Sequence, residues 1–432
     1  MKIKQLVLPI LLASAVGVSL FLSASILVNP AHYDRSNQKE SSQTAQIDSK
    51  PMSSVYSPTQ VVQTKDNGKQ YLLTNQSVNL ITEIGLQMNN YKDAKYTALN
   101  GDEKDYFNLL NTRDSVLLSY PSSINLKIVS KFINNAFDKL PNVTINRILI
   151  PFDNSNNIYL LSDNGFKIYR VNVKNTNISG IQKIISENVR SIDVSIKKLN
   201  DKPFIDFTDS FKMPQYAYLI NKTSQNYYVT RLLSDSQDVT VKRHRDSTVY
   251  NDENSRQITF SNDGEVNYYD SHPGVISTNM TQFLTDSYNN ISQISINDNL
   301  ANIRFFDYNS KSSKVVYRNY VEGFPIFDQT PYGAIEMKLV DNTSLKYNFS
   351  LKTLQIPVPT GRGDIELPSS DNVLKLIHAY GYDMSKVTGI ELGYQWSNTK
   401  SSSILITLEP TWFVIYNGKY VNYHQLLGRG IQ

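Results

Sequence analysis

Apolar and polar positions follow one pattern near the N-terminus of this chain and a different one in the remainder. Residues 6–28 form an apolar run that contains no charge. As a helix the run would be roughly 35 Å long, which is enough to cross a hydrocarbon core of about 30 Å. The pattern therefore predicts a transmembrane helix over residues 6–28, preceded by a short N-terminus of residues 1–5.

A polar stretch follows this run. Between Asp34 and Pro51 the only aliphatic side chains are those of Ala45 and Ile47, and there is no aromatic residue. Such a composition cannot bury enough apolar surface to fold. We expect a flexible linker over residues 29–55.

The rest of the chain alternates between the two-residue period of strands and the spacing of amphipathic helices. Asn67-Gly68 between the apolar runs 58–63 and 70–74 is a strong β-hairpin signal. Residues 78–88 carry apolar side chains at helical spacing after Ser77, a possible N-cap. The whole pattern predicts an α+β protein of mixed and mainly antiparallel sheets with packed helices.

Shifts in this pattern divide the outer part of the chain into three expected units. The first is an N-terminal α+β domain over residues 56–199. A stretch punctuated by proline then opens a middle α+β domain over residues 200–292. The clearest strand signals follow, in a C-terminal, β-rich α+β domain over residues 293–432.

The charges around the apolar run predict its orientation. Lys2 and Lys4 precede the run, and no acidic residue occurs before Asp34. By the positive-inside rule, the N-terminus lies in the cytoplasm and the bulk of the chain outside the cell. Removal of the run as a signal peptide, with cleavage at residues 23–25, is the alternative reading.

Small residues line one side of the predicted membrane helix. Ala13, Gly17 and Ala24 are spaced by four and seven residues, and Ser14 and Ser23 add hydroxyl groups. Such a stripe lets another helix approach closely in lipid, so it is a candidate contact with a partner helix. Small residues are also ordinary in any membrane span, and the pattern alone leaves both readings open.

Composition excludes several kinds of chemistry. The 432 residues include no cysteine, which removes disulfides, thiolate metal sites and cysteine nucleophiles. The net charge of +4 arises from 43 basic and 39 acidic side chains, so it is too dilute to favour nucleic acid as a partner. The densest basic run, residues 242–245, is followed by acidic residues and reads as a solvated strand end.

No local motif of an enzyme is present either. The five histidines lack metal-ligand spacing, and phosphate-binding glycine loops and serine-hydrolase elbows are missing. The sequence therefore predicts no catalytic, cofactor-binding or metal-binding residues, while a pair of carboxylates that lie far apart in the sequence is not excluded by the lack of local motifs.

Several phrases, taken in order, make the chain resemble the YycH family of membrane-anchored regulators. One of them reads YRNYVEGFPIF at residues 317–327, and the order of all of them, rather than any single one, carries the resemblance. The others are found at residues 28–33, 57–62, 72–75, 216–219, 232–235, 258–260, 264–268, 389–394 and 410–412. The resemblance runs from end to end of the chain.

The resemblance implies a role in the WalK/WalR (YycG/YycF) two-component system of Gram-positive bacteria. The membrane span would pack against the sensor histidine kinase WalK (YycG), and the outer domains would associate with the companion protein YycI. Together they would alter expression of cell-wall metabolism genes. The phrase at residues 323–327 is also similar to propeptide or protease-inhibitor domains of the PepSY and YpeB type, and a wall hydrolase with scattered carboxylates is a further alternative.

Overall fold

The computed structural model describes residues 51–75, 79–153, 155–187, 189–233, 238–273, 276–294, 302–327, 334–341, 343–399 and 404–428. The helices are α1 (Met52–Val55), α2 (Leu80–Met88), α3 (Glu103–Leu110), α4 (Leu126–Phe132), α5 (Ile178–Ser186), α6 (Gln225–Leu232), α7 (Met280–Ile294), α8 (Ser370–Ala379) and α9 (Tyr423–Leu426), with a 3-10 turn at Met384–Lys386.

The first sheet has nine strands in the order β3-β7-β6-β5-β4-β1-β2-β8-β9. These strands are β1 (Gln60–Thr64), β2 (Gln70–Thr74), β3 (Lys92–Leu99), β4 (Ser115–Asn125), β5 (Thr144–Pro151), β6 (Asn157–Ser162), β7 (Lys167–Lys174), β8 (Arg190–Leu199) and β9 (Lys202–Phe207). Every pair in this sheet is antiparallel.

The hairpin of β1 and β2 forms as its sequence predicts. Val61 pairs with Leu73 and Thr64 with Gln70. Gly68 closes the turn with a φ of 83°, in the left-handed region that glycine adopts without strain. Helix α2 follows and is capped by the side chain of Asn79, which accepts a hydrogen bond from the Thr82 amide.

Both sides of the first sheet are buried. On one side α2 packs through Ile81 and Ile84 against Val61, in an apolar cluster that reaches Phe305 of the second sheet. The residues in between, such as Val62, face the other side of the sheet. There they pack with residues of the C-terminal strands in a second apolar cluster. Because the period of a strand is two, this two-sided burial explains why the successive residues 115–120 of β4 are all buried.

The second, larger sheet has fourteen strands, with β12-β13-β14-β15-β20-β19-β17-β18-β23-β24-β11-β21 as its main path. Strand β16 pairs with β17, and β25 pairs with β24. The strands are β11 (Tyr216–Lys222), β12 (Val239–Arg243), β13 (Ser247–Asp252), β14 (Arg256–Ser261), β15 (Glu265–Asp270), β16 (Ile303–Asn309), β17 (Lys314–Val321), β18 (Phe324–Phe327), β19 (Ala334–Val340), β20 (Ser344–Ser350), β21 (Lys352–Val358), β23 (Val387–Asn398), β24 (Leu405–Tyr416) and β25 (Lys419–Asn422). Strands β10 (Phe211–Met213) and β22 (Ile365–Leu367) form a separate pair.

The expected class is confirmed: the chain is α+β with mainly antiparallel sheets, and β18 pairs with β23 in parallel. The sheets cross the expected domain limits. Strand β9 extends the first sheet to Phe207, beyond residue 199, and β15 of the expected middle unit pairs with β20 of the last. The three-domain division itself stays a prediction.

Strand β24 runs unbroken through Pro410, opposite Tyr394 of β23. On its other side it pairs with β11 over residues 405–408 and with β25 over residues 413–416. Pro410 lies in the gap between these two neighbours, where proline's missing N–H costs no ladder hydrogen bond.

The described residues correct one limit of the expected linker. Its last four residues, Met52–Val55, form helix α1, and Val55 is fully buried because it is apolar and packs against the core. The expected transmembrane helix over residues 6–28 and residues 29–50 of the linker lie outside the described residues. Within the described part, no helix is both long enough and apolar enough to cross a membrane.

Candidate functional site: the chain entry between the two halves

The residues singled out from the sequence lie outside the described part of the chain. These are the small-residue stripe and the charges that set its orientation: Ala13, Ser14, Gly17, Ser23, Ala24, Lys2 and Lys4. The structure instead describes where the chain that follows them enters the fold. We call residues 51–60 the entry segment, and strands β11–β25 with helices α6–α9 the C-terminal half.

The entry segment leads into β1 of the first sheet but is buried against the C-terminal half. Pro51 precedes α1 with an extended backbone, and α1 then packs against α4 and β16. Val55 and Tyr56 at the end of this short helix are completely buried. The segment is thus enclosed between the two halves of the molecule.

Tyr56 carries the central contact. Its hydroxyl group donates a hydrogen bond of 2.6 Å to the Leu284 carbonyl of α7. It also lies 2.5 Å from the Tyr317 hydroxyl of β17 and 3.3 Å from Ser287 Oγ, and Ser287 and Tyr317 are hydrogen-bonded to each other. Three hydroxyl groups from three elements therefore form one buried network, in which each proton has an acceptor.

Burial fixes the protonation state of this network. Desolvation raises the pKa of Tyr56 well above its ordinary value, and the neighbouring Tyr317 raises it further. Burial also raises the pKa of Tyr317. Both phenols consequently stay protonated at physiological pH and keep their hydrogen bonds.

An arginine of β16 holds the backbone of the entry segment. Arg304 donates from Nη1 to the Ser54 carbonyl at 2.8 Å and also to Ser57 Oγ. Ser57 Oγ in turn donates to the Ser54 carbonyl at 2.9 Å. Hydrogen bonds to a charged group are stronger than neutral ones, so the Arg304 guanidinium holds the C-terminal end of α1 in place.

The turn between β17 and β18 closes against the same segment. Glu322 and Gly323 both have positive φ angles, of 52° and 85°. A Cβ atom on Gly323 would lie 3.0 Å from the Thr59 carbonyl, so the turn approaches the entry segment as closely as glycine allows.

The last contact joins Gln60 to Glu391 of β23. Gln60 Nε2 donates to Glu391 Oε1 at 3.3 Å. Desolvation raises the pKa of Glu391 to about 8. Its carboxyl group faces Tyr320 and Tyr420. Burial raises the pKa of both phenols, and the nearby Glu391 raises them further. The contact therefore includes a carboxyl group that carries a proton at neutral pH.

This arrangement is suited to mechanical coupling. Hydrogen bonds fix the entry segment to α7, β16 and β23, and its own chain continues into β1. Tension on the chain that precedes residue 51 would therefore reach both sheets at once. Among the residues that the structure describes, no group of three or more His, Asp or Glu side chains is placed to hold a metal ion.

The sequence held no local signal for this site. Tyr56 and its partners Ser287 and Tyr317 are separated by 231 and 261 positions. The closest available hint was the Gly-Phe-Pro-Ile-Phe phrase, whose Gly323 proves to lie against the entry segment.

Comparison with known families decides the identity. The description "YycH protein, N-terminal domain" matches residues 2–190, and "YycH protein, C-terminal domain" matches residues 204–427. The chain belongs to the YycH family. Its members are regulatory accessory proteins of the WalK (YycG) two-component system, and this chain is such a regulator in general terms.

A solved structure agrees with the YycH assignment. The crystal structure of YycH from Bacillus subtilis superposes with a TM-score of 0.66 and covers 89% of this chain and 99% of its own, at 18% identity. At this identity the likeness establishes a shared fold. A comparison with curated proteins found no match.

Proposed function

We propose that this YycH-family chain is a non-enzymatic, single-pass membrane protein that modulates the sensor kinase WalK (YycG). Residues 6–28 span the membrane, with Lys2 and Lys4 on the cytoplasmic side and the folded part outside the cell. The span contacts the kinase's transmembrane helices through Ala13, Gly17 and Ala24, with Ser14 and Ser23 as hydrogen-bonding groups. The outer part forms a complex with YycI, and expression of cell-wall metabolism genes changes as a result.

The observation that carries the proposal is the fixed entry segment. A regulator that shifts a kinase between two states must contact one state better than the other. Residues 29–50 are expected to be flexible, so they can pass tension from the span but not rotation, and tension acts on the outer part only through a fixed point of attachment. Here Tyr56 and Arg304 hold the chain to the C-terminal half a short distance after the expected linker.

The family match also supports the proposal. The N-terminal domain description begins at residue 2, so it includes the expected span and its preceding lysines. Close approach between membrane helices depends on small residues, because lipid supplies no hydrophobic drive for helix association.

Co-purification with the kinase in detergent tests the helix contact. Gly17→Leu places a bulky side chain in the small-residue stripe and should reduce recovery of WalK about tenfold or more. Ala15→Leu is the matched control, since residue 15 lies on the opposite side of an ideal helix. Equal recovery with both variants would count against the proposed face, whereas recovery of YycI should be unaffected by either.

The topology has its own test, which the absence of cysteine makes simple. A single cysteine introduced as Ser41→Cys in the expected linker should react with a membrane-impermeant maleimide on intact cells. A cysteine at Gln5 should react only after the cells are opened. Labelling in the reverse order would refute the orientation, and release of the labelled chain into the medium would favour cleavage.

A further inference from the structure

The second sheet ends in an unusually open strand. Strand β12 stands first in the strand order, and within the described residues no strand pairs with its outer side. Four of its five residues are exposed. An edge of this kind presents free backbone N–H and C=O groups that can pair with another chain.

The alternation of hydrogen bonds between β12 and β13 shows which backbone groups of β12 point away from the sheet. His244 donates its amide to the Ser247 carbonyl at 2.8 Å, so the even-numbered residues of β12 pair with β13. The Asn262 amide donates to the Asp246 carbonyl, so the even-numbered residues of β13 pair with β14. The odd-numbered residues of β13 are then the ones that pair with β12, in agreement with the first bond. In an antiparallel ladder the alternate residues point outward, and these are Val239, Val241 and Arg243.

The side chains of β12 extend an apolar surface past the edge of the core. Val241 lies opposite Tyr250, which lies opposite Ile258, and only Ile258 is fully buried. Val241 itself is 47% exposed. An added strand would cover Val241 with its inward-facing side chains.

The charges along β12 select the occupant. Lys242, Arg243 and Arg245 make no ion pair among the residues that the structure describes. The nearby Asp252 does not balance them, because Arg256 holds its carboxylate at 2.6 Å and it has no solvent exposure. Glu253 lies at the opposite end of β12, where its carboxylate accepts a hydrogen bond from the Asp238 amide, and Asp246 is the single acidic residue of the turn that carries Arg245. An approaching strand therefore meets an excess of positive charge at the turn end of β12.

Two of the other sheet edges, β21 and β3, carry protective features that β12 lacks. Strand β21 carries Pro357 and a register shift opposite Tyr218 and Ile220. Strand β3 begins with a register shift at Asp93, whose φ is 52°. Proline and bulges are common devices against edge pairing, and β12 has neither.

We propose that β12 accepts an extended, acidic segment of another protein as an additional strand of the sheet. Backbone pairing through Val239, Val241 and Arg243 supplies the register. Apolar residues of the segment cover Val241, and its alternate acidic residues meet Lys242 and the basic turn that follows. This mode gives affinity through main-chain hydrogen bonds and selectivity through side chains.

Binding of a short fluorescent peptide of alternating Glu and Val tests the proposal. The full chain in detergent micelles should raise the anisotropy of this peptide more than that of its Lys–Val counterpart. Val241→Pro removes an outward donor without breaking a bond to β13, so it should weaken binding about tenfold or more. Its thermal midpoint should stay near that of the parent, whereas Lys242→Pro should lower the midpoint.

A charge exchange gives a second readout that does not depend on proline. The double variant Lys242→Glu, Arg243→Glu should bind the Lys–Val peptide better than the Glu–Val peptide. Equal affinity of the parent and Val241→Pro would overturn the proposal. So would a parent chain that is dimeric by light scattering and becomes monomeric in Val241→Pro, because the occupant would then be a second copy of the chain.

Discussion

Replacing Glu391 by glutamine should remove a pH-dependent part of the stability of this protein. The half-buried carboxyl group lies on β23 and accepts a hydrogen bond from Gln60 of the entry segment. Glutamine has the same shape and remains neutral at every pH. The variant therefore mimics the protonated carboxyl group and isolates the effect of its ionisation.

The size and sign follow from the pKa of Glu391, which burial raises from 4.5 to about 8. Between these values the folded chain holds a proton that the unfolded chain releases, so stability falls as pH rises. The free energy of unfolding falls by at most about 1.4 kcal/mol per pH unit. The actual fall is smaller, because a half-buried carboxyl group keeps part of its hydration. The contribution is complete below the unfolded pKa and is lost as pH rises through the folded pKa.

Thermal unfolding of the parent and of Glu391→Gln in detergent, from pH 4 to pH 8, is the appropriate assay. The two midpoints should lie closest together at pH 4, below the unfolded pKa, and the variant should be the more stable protein at pH 8. A change of 1 kcal/mol shifts the midpoint of a domain of 150–250 residues by about 2–4 °C. Several degrees of separation are therefore expected at pH 8.

The control is Glu366→Gln, at an exposed glutamate of β22. Its midpoint should follow the parent at every pH. A constant difference between the parent and Glu391→Gln across this range would refute the reasoning, and so would a variant that is less stable than the parent at pH 8.

Three further predictions concern packing and buried polar groups, each measured by the thermal midpoint. Tyr56→Phe should cost about 1 kcal/mol for its hydrogen bonds, and Tyr56→Ala about 3–5 kcal/mol because it also leaves a cavity; equal losses would argue against the hydroxyl network. Gly393→Ala places a Cβ 2.7 Å from a phenyl carbon and a backbone carbonyl and should cost about 1–3 kcal/mol, whereas Gly363→Ala meets nothing within 4 Å and should be neutral. Arg147→Ala leaves the Asp163 carboxylate, now bound at 3.0 Å, with the Tyr106 hydroxyl but without its cationic partner, and should cost about 3 kcal/mol; an unchanged midpoint would contradict this.

Local pattern was sufficient for the hairpins and for the amphipathic helices. The turn at residues 66–68 and the apolar spacing of residues 80–88 determine β1, β2 and α2 through contacts between near neighbours. The class of the fold follows from many such segments. For the same reason these elements were predicted with nearly correct limits.

Helix α7 was missed, and its sequence explains why. Met280–Ile294 is rich in Asn, Ser and Thr, which are weak helix formers. Its apolar residues Phe283, Leu284 and Ile291 become meaningful only once the sheet that they pack against is known. Tertiary packing, rather than propensity, stabilises this helix.

The candidate site could not be predicted for a related reason. It consists of contacts between residues more than two hundred positions apart, and no spacing rule links them. The unbroken course of β24 through Pro410 was missed as well. From the sequence alone, proline indicates the end of a strand. Only the structure shows that Pro410 lies in the gap between β11 and β25, where no ladder hydrogen bond is needed.

The enclosed entry segment also sets an order of events during synthesis. Tyr56 leaves the ribosome early, but its partners Ser287 and Tyr317 follow more than two hundred residues later. The beginning of the fold must therefore wait, with its aromatic side chain uncovered, until most of the chain has been made. A nascent chain halted before α7 would be the form of this protein most prone to aggregation and most in need of a chaperone.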